Sequence, residues 1–267
     1  MALLHANFFS DVLGMSVNMD VILPQKTNGQ IGMEGKGADG RYKTVYLLHG
    51  MSDDHTIWQR RTSIERYASK LGIAIVMPST HLGFYTNTTY GMHYWTFISN
   101  ELPGICREFF PQMSDKKEDT LAAGLSMGGY GAWKLGLGAS DIFGAAAALS
   151  GALDIVEDLR RNSEDAHTRE IFHGIFGEEK DLAGSDNDLM ALADKLAESG
   201  KGLPRLYAWC GTEDFLYQGN LRAWEHVRKL GYDLTSEESK GDHQWKYWDA
   251  KIQDVLRWWL GTDIDLQ

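Results

Sequence analysis

"TLAAGLSMGGYGAWKLGLG", residues 120–138, decides how the rest of the chain is read. Its first seven residues form a continuous apolar run ending at Ser126, the pattern of a strand buried on both faces. The remainder predicts a helix, Met127–Gly138. Between them, Gly124-Leu-Ser126-Met-Gly128 makes a G-x-S-x-G frame. With 29 glycines in 267 residues, roughly one chain in five of this composition would contain such a frame by chance, so its context must carry the reading. The context fits. A serine on a sharp strand-to-helix turn needs residues without side chains two places before and two places after, because strand and helix approach closely there. The helix N-terminus then aims free amides and the positive end of its dipole at the serine oxygen.

Outward from this segment the same rhythm repeats. Apolar runs at 44–50, 73–78, 144–150 and 205–211 read as further buried strands. Helical patterns fall at Thr62–Leu71, His93–Phe110, Asn220–Leu230 and Trp245–Leu260, the last two closed by Gly231 and Gly261. Strand–helix alternation predicts an α/β fold, with a mostly parallel central sheet and helices on both faces. "MSVNMDVILP" (15–24) alternates and suits an antiparallel edge strand. Residues 1–267 read as one domain. The stretch 151–203 holds too few apolar residues for its own core and reads as an insertion over the carboxyl edge of the sheet, where such folds place their sites.

Two loops could complete a nucleophilic site. "RLYAWCGTEDFLY" puts Glu213 and Asp214 just past the carboxyl end of a core strand, and "DLTSEESKGDHQWKYW" puts His243 in the loop before the C-terminal helix. Serine, then acid, then histidine is the chain order of α/β-hydrolases, and of neither chymotrypsin-like nor subtilisin-like proteases. The run "YLLHGMS" ends a strand at His49-Gly50-Met51. The backbone N–H groups of Met51 and Met127 are the expected oxyanion donors, with His49 supporting that loop. The aromatics Phe84, Tyr85 and Trp95 in "HLGFYTNTTYGMHYW" are candidate pocket walls or plain packing residues. Phe215 and Trp245 flank the acid and the base and are candidates to line the mouth.

Composition excludes other classes. Against 37 Asp and Glu there are only 26 Lys and Arg, a formal charge of −11, so no basic stripe offers a nucleic-acid interface. No apolar run is long enough to span a membrane. The start lacks the basic and apolar regions of a signal peptide, which makes a cytoplasmic protein the expectation. Cys106 and Cys210 lie in apolar surroundings and read as reduced, buried thiols. Histidines 49, 55, 81 and 93 show no metal-ligand spacing, so no metal is expected. Gly35-Lys-Gly37-Ala-Asp-Gly40 matches a dinucleotide fingerprint in letters only, because it precedes a strand instead of opening a helix.

The stretches "YLLHGMS", "GFYTNTTYG", "ELPGICREFFP", "AGLSMGGYGAWKL", "LSGAL", "AWCGTEDFLY" and "GDHQWKYW" together resemble the tributyrin esterase branch of the esterase D (S-formylglutathione hydrolase-like) family, within the α/β-hydrolase superfamily. The resemblance runs from about residue 5 to residue 260. It implies a serine carboxylesterase acting on short acyl esters through an acyl-enzyme, with no cofactor. It implies Ser126 as nucleophile, His243 as base and, of the two carboxylates, Asp214 as the acid. A small-molecule ester is the implied partner, and a homo-oligomer is implied as well. The rival readings are an S-formylglutathione hydrolase-type thioesterase and an acetylxylan- or feruloyl-type carbohydrate esterase. Two departures count against the thioesterase: "MSDDH" stands after the oxyanion glycine where those enzymes tend to carry a cysteine-bearing stretch, and Leu125 stands where they tend to carry histidine. An acyltransferase or a non-catalytic module on the same scaffold would be separated from these by transfer products or by loss of a triad member.

Overall fold

The computed structural model describes residues 1–32, 35–38, 40–161 and 165–266. Parts of the glycine-rich loop 25–40 and of the 151–203 stretch therefore lie outside the described residues. Eight strands form one sheet in the order β1-β2-β4-β3-β5-β6-β7-β8. They are β1 (Ala2–Ser10), β2 (Met15–Leu23), β3 (Thr44–Leu48), β4 (Ala74–Pro78), β5 (Thr120–Leu125), β6 (Ala145–Leu149), β7 (Arg205–Gly211) and β8 (Leu234–Ser239). From β4 to β8 every pairing is parallel, while β2 runs antiparallel to both β1 and β4.

The helices are α1 (Ile57–Arg61), α2 (Ile64–Leu71), α3 (Tyr94–Thr96), α4 (Leu102–Phe109), α5 (Met127–Gly138), α6 (Ile155–Arg161), α7 (Ala166–Phe176), α8 (Leu189–Glu198), α9 (Tyr217–Lys229) and α10 (Trp245–Leu260). Alternate strand residues feed two cores, as the period of two requires. Val45, Leu47, Leu121 and Ala123 pack with α1, α2 and α10 through Trp58, Tyr67, Trp248, Ile252 and Trp259. Tyr46, Leu48 and Ala122 face the opposite way, toward α4, α5, α8 and α9. The centre of the sheet is thin, with alanine at each position from 145 to 148. Helix α5 therefore sits so low on the sheet that a Cβ on Gly136 would meet that of Ala146 at 2.7 Å.

Several expectations are revised. Residues 15–23 are antiparallel but not at the edge, because β1 pairs along their whole length. That N-terminal strand hides in sequence because its one-sided burial leaves Leu3 and Phe9 exposed. The helix expected at 62–71 begins at Ile64 as α2, and the separate short α1 precedes it, the two parted at Thr62, whose backbone is extended (φ −137°, ψ 173°). The helix expected at 93–110 contains a π turn, Phe97–Glu101. That wider turn puts the Glu101 carboxylate on the β1–β2 hairpin, where it accepts the Asp11 and Val12 N–H groups at 2.8 and 3.1 Å and the Ser10 hydroxyl. Within the rejected dinucleotide fingerprint, Gly35 pairs back with Thr27, and the Lys36 N–H donates to the Ser69 carbonyl near the end of α2.

The end of β3 is fixed by a buried histidine. His49 is fully enclosed. Its Nδ1–H donates to the Gly50 carbonyl at 2.8 Å, and its Nε2 accepts the Thr80 N–H at 3.1 Å. This uses both ring nitrogens of the neutral form and ties the turn after β3 to the turn after β4. The Tyr85 hydroxyl donates to the His49 carbonyl at 2.9 Å, and the Trp58 indole N–H to that of Leu48 at 3.0 Å. Burial holds the His49 imidazole down to about 4. The unfolded chain, with an ordinary imidazole, then binds more protons than the folded one between about pH 6.5 and 4. Stability is complete above that window and falls as the pH drops through it, by about 3 kcal/mol in all. Denaturant titrations at pH 7, 5.5 and 4.5 check this: the parent should lose stability steeply, and His49→Gln, though weaker at pH 7, should show a shallower slope.

Candidate active site

From Thr120 to Leu137 every residue is buried except Ser126. The serine stands at φ 52°, ψ −118° as the residue preceding α5, a left-handed conformation that a non-glycine residue adopts only when its surroundings impose it. The surroundings do so. A Cβ on Gly124 would lie 2.4 Å from the Gly128 carbonyl oxygen, and one on Gly128 would lie 2.4 Å from that of Leu48. The first turn of α5 is thus pressed onto the ends of β5 and β3, and only glycine permits it. The neighbouring strand end holds the serine backbone from the side. Its N–H donates to the Leu149 carbonyl at 3.0 Å, and its own carbonyl accepts the Ala152 N–H at 3.2 Å.

The loops after β7 and β8 are pressed together in the same way. A Cβ on Gly211 would lie 2.3 Å from the Gly241 carbonyl oxygen. The Thr212 N–H donates to Ser239 and the Glu213 N–H to Gly241, each at 2.9 Å. This register brings Asp214 to His243: Oδ2 of the carboxylate accepts Nδ1–H of the imidazole at 2.9 Å. The Asp214 side chain has no exposed surface, and its Oδ1 accepts the Leu216 N–H at 2.9 Å. Both oxygens are therefore occupied and the carboxylate cannot swing away. Glu213 points elsewhere, 55% exposed, with Lys240 Nζ 3.9 Å away. The bond at Nδ1 leaves the lone pair of the His243 ring at Nε2, the nitrogen able to accept a proton.

His243 lies between two rings. Phe215, 70% exposed, lies against it tilted by 47° with ring centroids 4.6 Å apart, and buried Trp248 meets it edge-on at 4.8 Å. The Trp248 indole N–H donates to the Ser150 hydroxyl at 3.1 Å, and Ser150 is itself held at φ 47° beside the nucleophile turn. Ser150 and Trp248 support the histidine, and motif reading passed over both. The available signal was Leu149-Ser150-Gly151, a second strand-serine-glycine frame one strand over. Trp245 continues the aromatic row, touching Trp248 at 5.3 Å and Trp58 at 5.1 Å.

Met51 follows Gly50 in the turn after β3, and Met127 follows Ser126. Met127 is the first residue of α5, where an N–H has no partner within the helix. No described residue accepts the N–H of either methionine. Gly50 lets the two turns meet, since a Cβ there would lie 2.6 Å from Leu125 Cδ1.

The aromatics of 81–95 divide differently from the pocket expectation. Phe84 is buried among Tyr130, Phe172 and Phe176, and Tyr85 is wholly enclosed against Gly131, so both are packing residues in this structure. Trp95 lies against Lys134 and Gly138. Gly138 ends α5, and at 1.5 Å of rise per residue that is about 18 Å along the helix from Ser126. Phe215 is the candidate that reaches the histidine from the solvent side.

The sequence profile of the esterase family described as "Putative esterase" matches residues 10–259. The acetyl esterase of Caldicellulosiruptor saccharolyticus is 31% identical, with 97% of this chain and 98% of that protein covered. Two solved Staphylococcus aureus structures are similar over 97% of this chain and 98% of theirs. The fluorophosphonate-binding serine hydrolase FphF has a TM-score of 0.85 at 33% identity, and the S-formylglutathione hydrolase FrmB has 0.83 at 34%. The chain belongs to this esterase family and is a serine ester hydrolase of the α/β-hydrolase fold.

Proposed function

We propose that the chain is a carboxylesterase of short acyl esters, acetyl to butyryl, working through an acyl-enzyme on Ser126. Two observations carry this reading: the positive-φ, part-exposed serine at the head of α5 and the Asp214–His243 hydrogen bond. In the first step Nε2 of His243 takes the Ser126 proton as the hydroxyl attacks the ester carbonyl. Asp214 holds the imidazole in the required tautomer and stabilises the imidazolium. The Met51 and Met127 N–H groups receive the oxyanion, each such donor being worth about 3 kcal/mol in the transition state. The imidazolium then protonates the departing alcohol, and the same nitrogen activates water for deacylation. Neither metal nor organic cofactor takes part. The preference for short acyl groups draws support from the acetyl esterase relative.

A thioester substrate is the second reading, favoured by the similarity to FrmB. Paired kinetics on an oxygen ester and a thioester of equal acyl length separate the two. A cytoplasmic location and self-association complete the proposal. The first draws on two buried free thiols, which suit a reducing compartment.

Two experiments test it. On p-nitrophenyl acetate, butyrate and octanoate, kcat/KM should be highest for the two shorter esters, and Ser126→Ala should lose at least about 10⁴-fold in kcat; an alanine variant as fast as the parent would remove the nucleophile assignment. Asp214→Asn should cost about 10⁴-fold in kcat, while Glu213→Gln stays within about twofold. Equal losses in the two variants would show that the 2.9 Å bond does not orient the base.

A further inference from the structure

Lys134 is the one buried charge on α5. It is 2% exposed. Its Nζ donates to the Thr86 hydroxyl at 2.7 Å and to Asn187 Oδ1 at 2.6 Å. It lies 5.0 Å from the Trp95 ring centroid and 5.6 Å from that of Tyr130. Both hydrogen-bond partners are neutral, and an ammonium has a third N–H to give. Among the described residues no carboxylate comes within ion-pair distance of it. A buried cation without a counterion is costly, yet this one borders open space: a cavity of about 370 Å³ lined by Thr86, Trp95, Lys134, Gly138, Asn187 and Leu192. Asn87 and the Asp186 carboxylate add to its polar lining, while Trp95, Gly138 and Leu192 give it apolar surface.

We propose that this cavity binds a small monocarboxylate, with its carboxylate on the Lys134 ammonium and its short alkyl chain against Trp95 and Leu192. An ester hydrolase releases carboxylic acids, so its own chemistry supplies this class of ligand. The site lies well along α5 from Ser126 and is distinct from the catalytic one. It joins three segments: α5 through Lys134, the turn after β4 through Thr86, and the 151–203 stretch through Asn187. Asn187 is also held by the Tyr130 hydroxyl, which donates to its carbonyl at 2.8 Å.

The charged groups around Lys134 are few. Asp186 also lines the cavity, 85% exposed and paired with Lys195 of α8 at 2.8 Å. The Asp188 carboxylate is taken up by the N–H groups of Gly184, Met190 and Ala191. Thr86, Asn87 and Trp95, which approach from the other side, are uncharged. Burial lowers the Lys134 amine to about 7, with Asp186 acting weakly the other way. A bound carboxylate favours the ammonium, so affinity should rise as the pH falls from 8 to 6.

The test titrates the full chain with sodium butyrate, against sodium chloride at matched ionic strength, by calorimetry and tryptophan fluorescence. Saturable binding of butyrate is expected, stronger at pH 6 than at pH 8. Lys134→Met should weaken it at least about tenfold while ester hydrolysis persists, which separates this site from product binding at Ser126. Trp95→Phe should remove the fluorescence change. An unchanged affinity in Lys134→Met, an equal response to chloride, or no saturation by about 100 mM butyrate would overturn the proposal. Should Lys134→Met fail to give a cooperative unfolding transition, the parent and Trp95→Phe titrations decide: a fluorescence change that survives without Trp95 overturns it.

Discussion

Everything at the carboxyl edge of the sheet depends on the close approach of α5 to the strands beneath it. Gly124 and Gly128 let backbone touch backbone where any side chain would collide, and the contact drives Ser126 into a left-handed conformation. The strain is local, but what holds it is spread across the fold. The alanines of β6 keep the sheet thin under the helix, the Leu149 carbonyl ties down the serine N–H, and the buried body of α5 resists being lifted off. The result is one reachable hydroxyl in a segment otherwise closed to solvent, at the positive end of a twelve-residue helix.

The same edge carries Asp214 and His243 on two loops that are themselves in backbone contact at Gly211 and Gly241. Geometry thus selects one of two adjacent carboxylates: Asp214 turns inward and spends both oxygens, while Glu213 stays in solvent. The aromatic row Trp58–Trp245–Trp248 runs from the end of β3 to the flank of His243, so the turn after β3 and the imidazole share one packed support. His49 serves that support as a neutral, hydrogen-bonded strut.

Much of this was legible in the residues. The bounds of α5 and α10 match their apolar patterns, and the five buried strand runs fall within two residues of the observed strands, because strands covered on both faces announce themselves as unbroken hydrophobic stretches. The places of Ser126, Asp214 and His243 after the carboxyl ends of β5, β7 and β8 were legible from chain order and strand pattern. What sequence concealed was tertiary. The nine residues of β1 read as nothing in particular, since an edge strand need satisfy only one face. Phe84 and Tyr85 stood open between pocket wall and plain packing, and only the structure shows α7 and α5 covering them. No local pattern reports that Thr86 and Asn187, remote in sequence, close over Lys134.

The account turns on Ser126 being the hydroxyl that becomes acylated. Brief exposure of the protein to a fluorophosphonate ester, followed by peptide mass mapping, tests that directly. A single adduct on the peptide carrying Ser126, formed far more slowly when His243 is replaced by alanine, is the expected result. An adduct on any other residue, or labelling of Ser126 at the same rate without the imidazole, would contradict it.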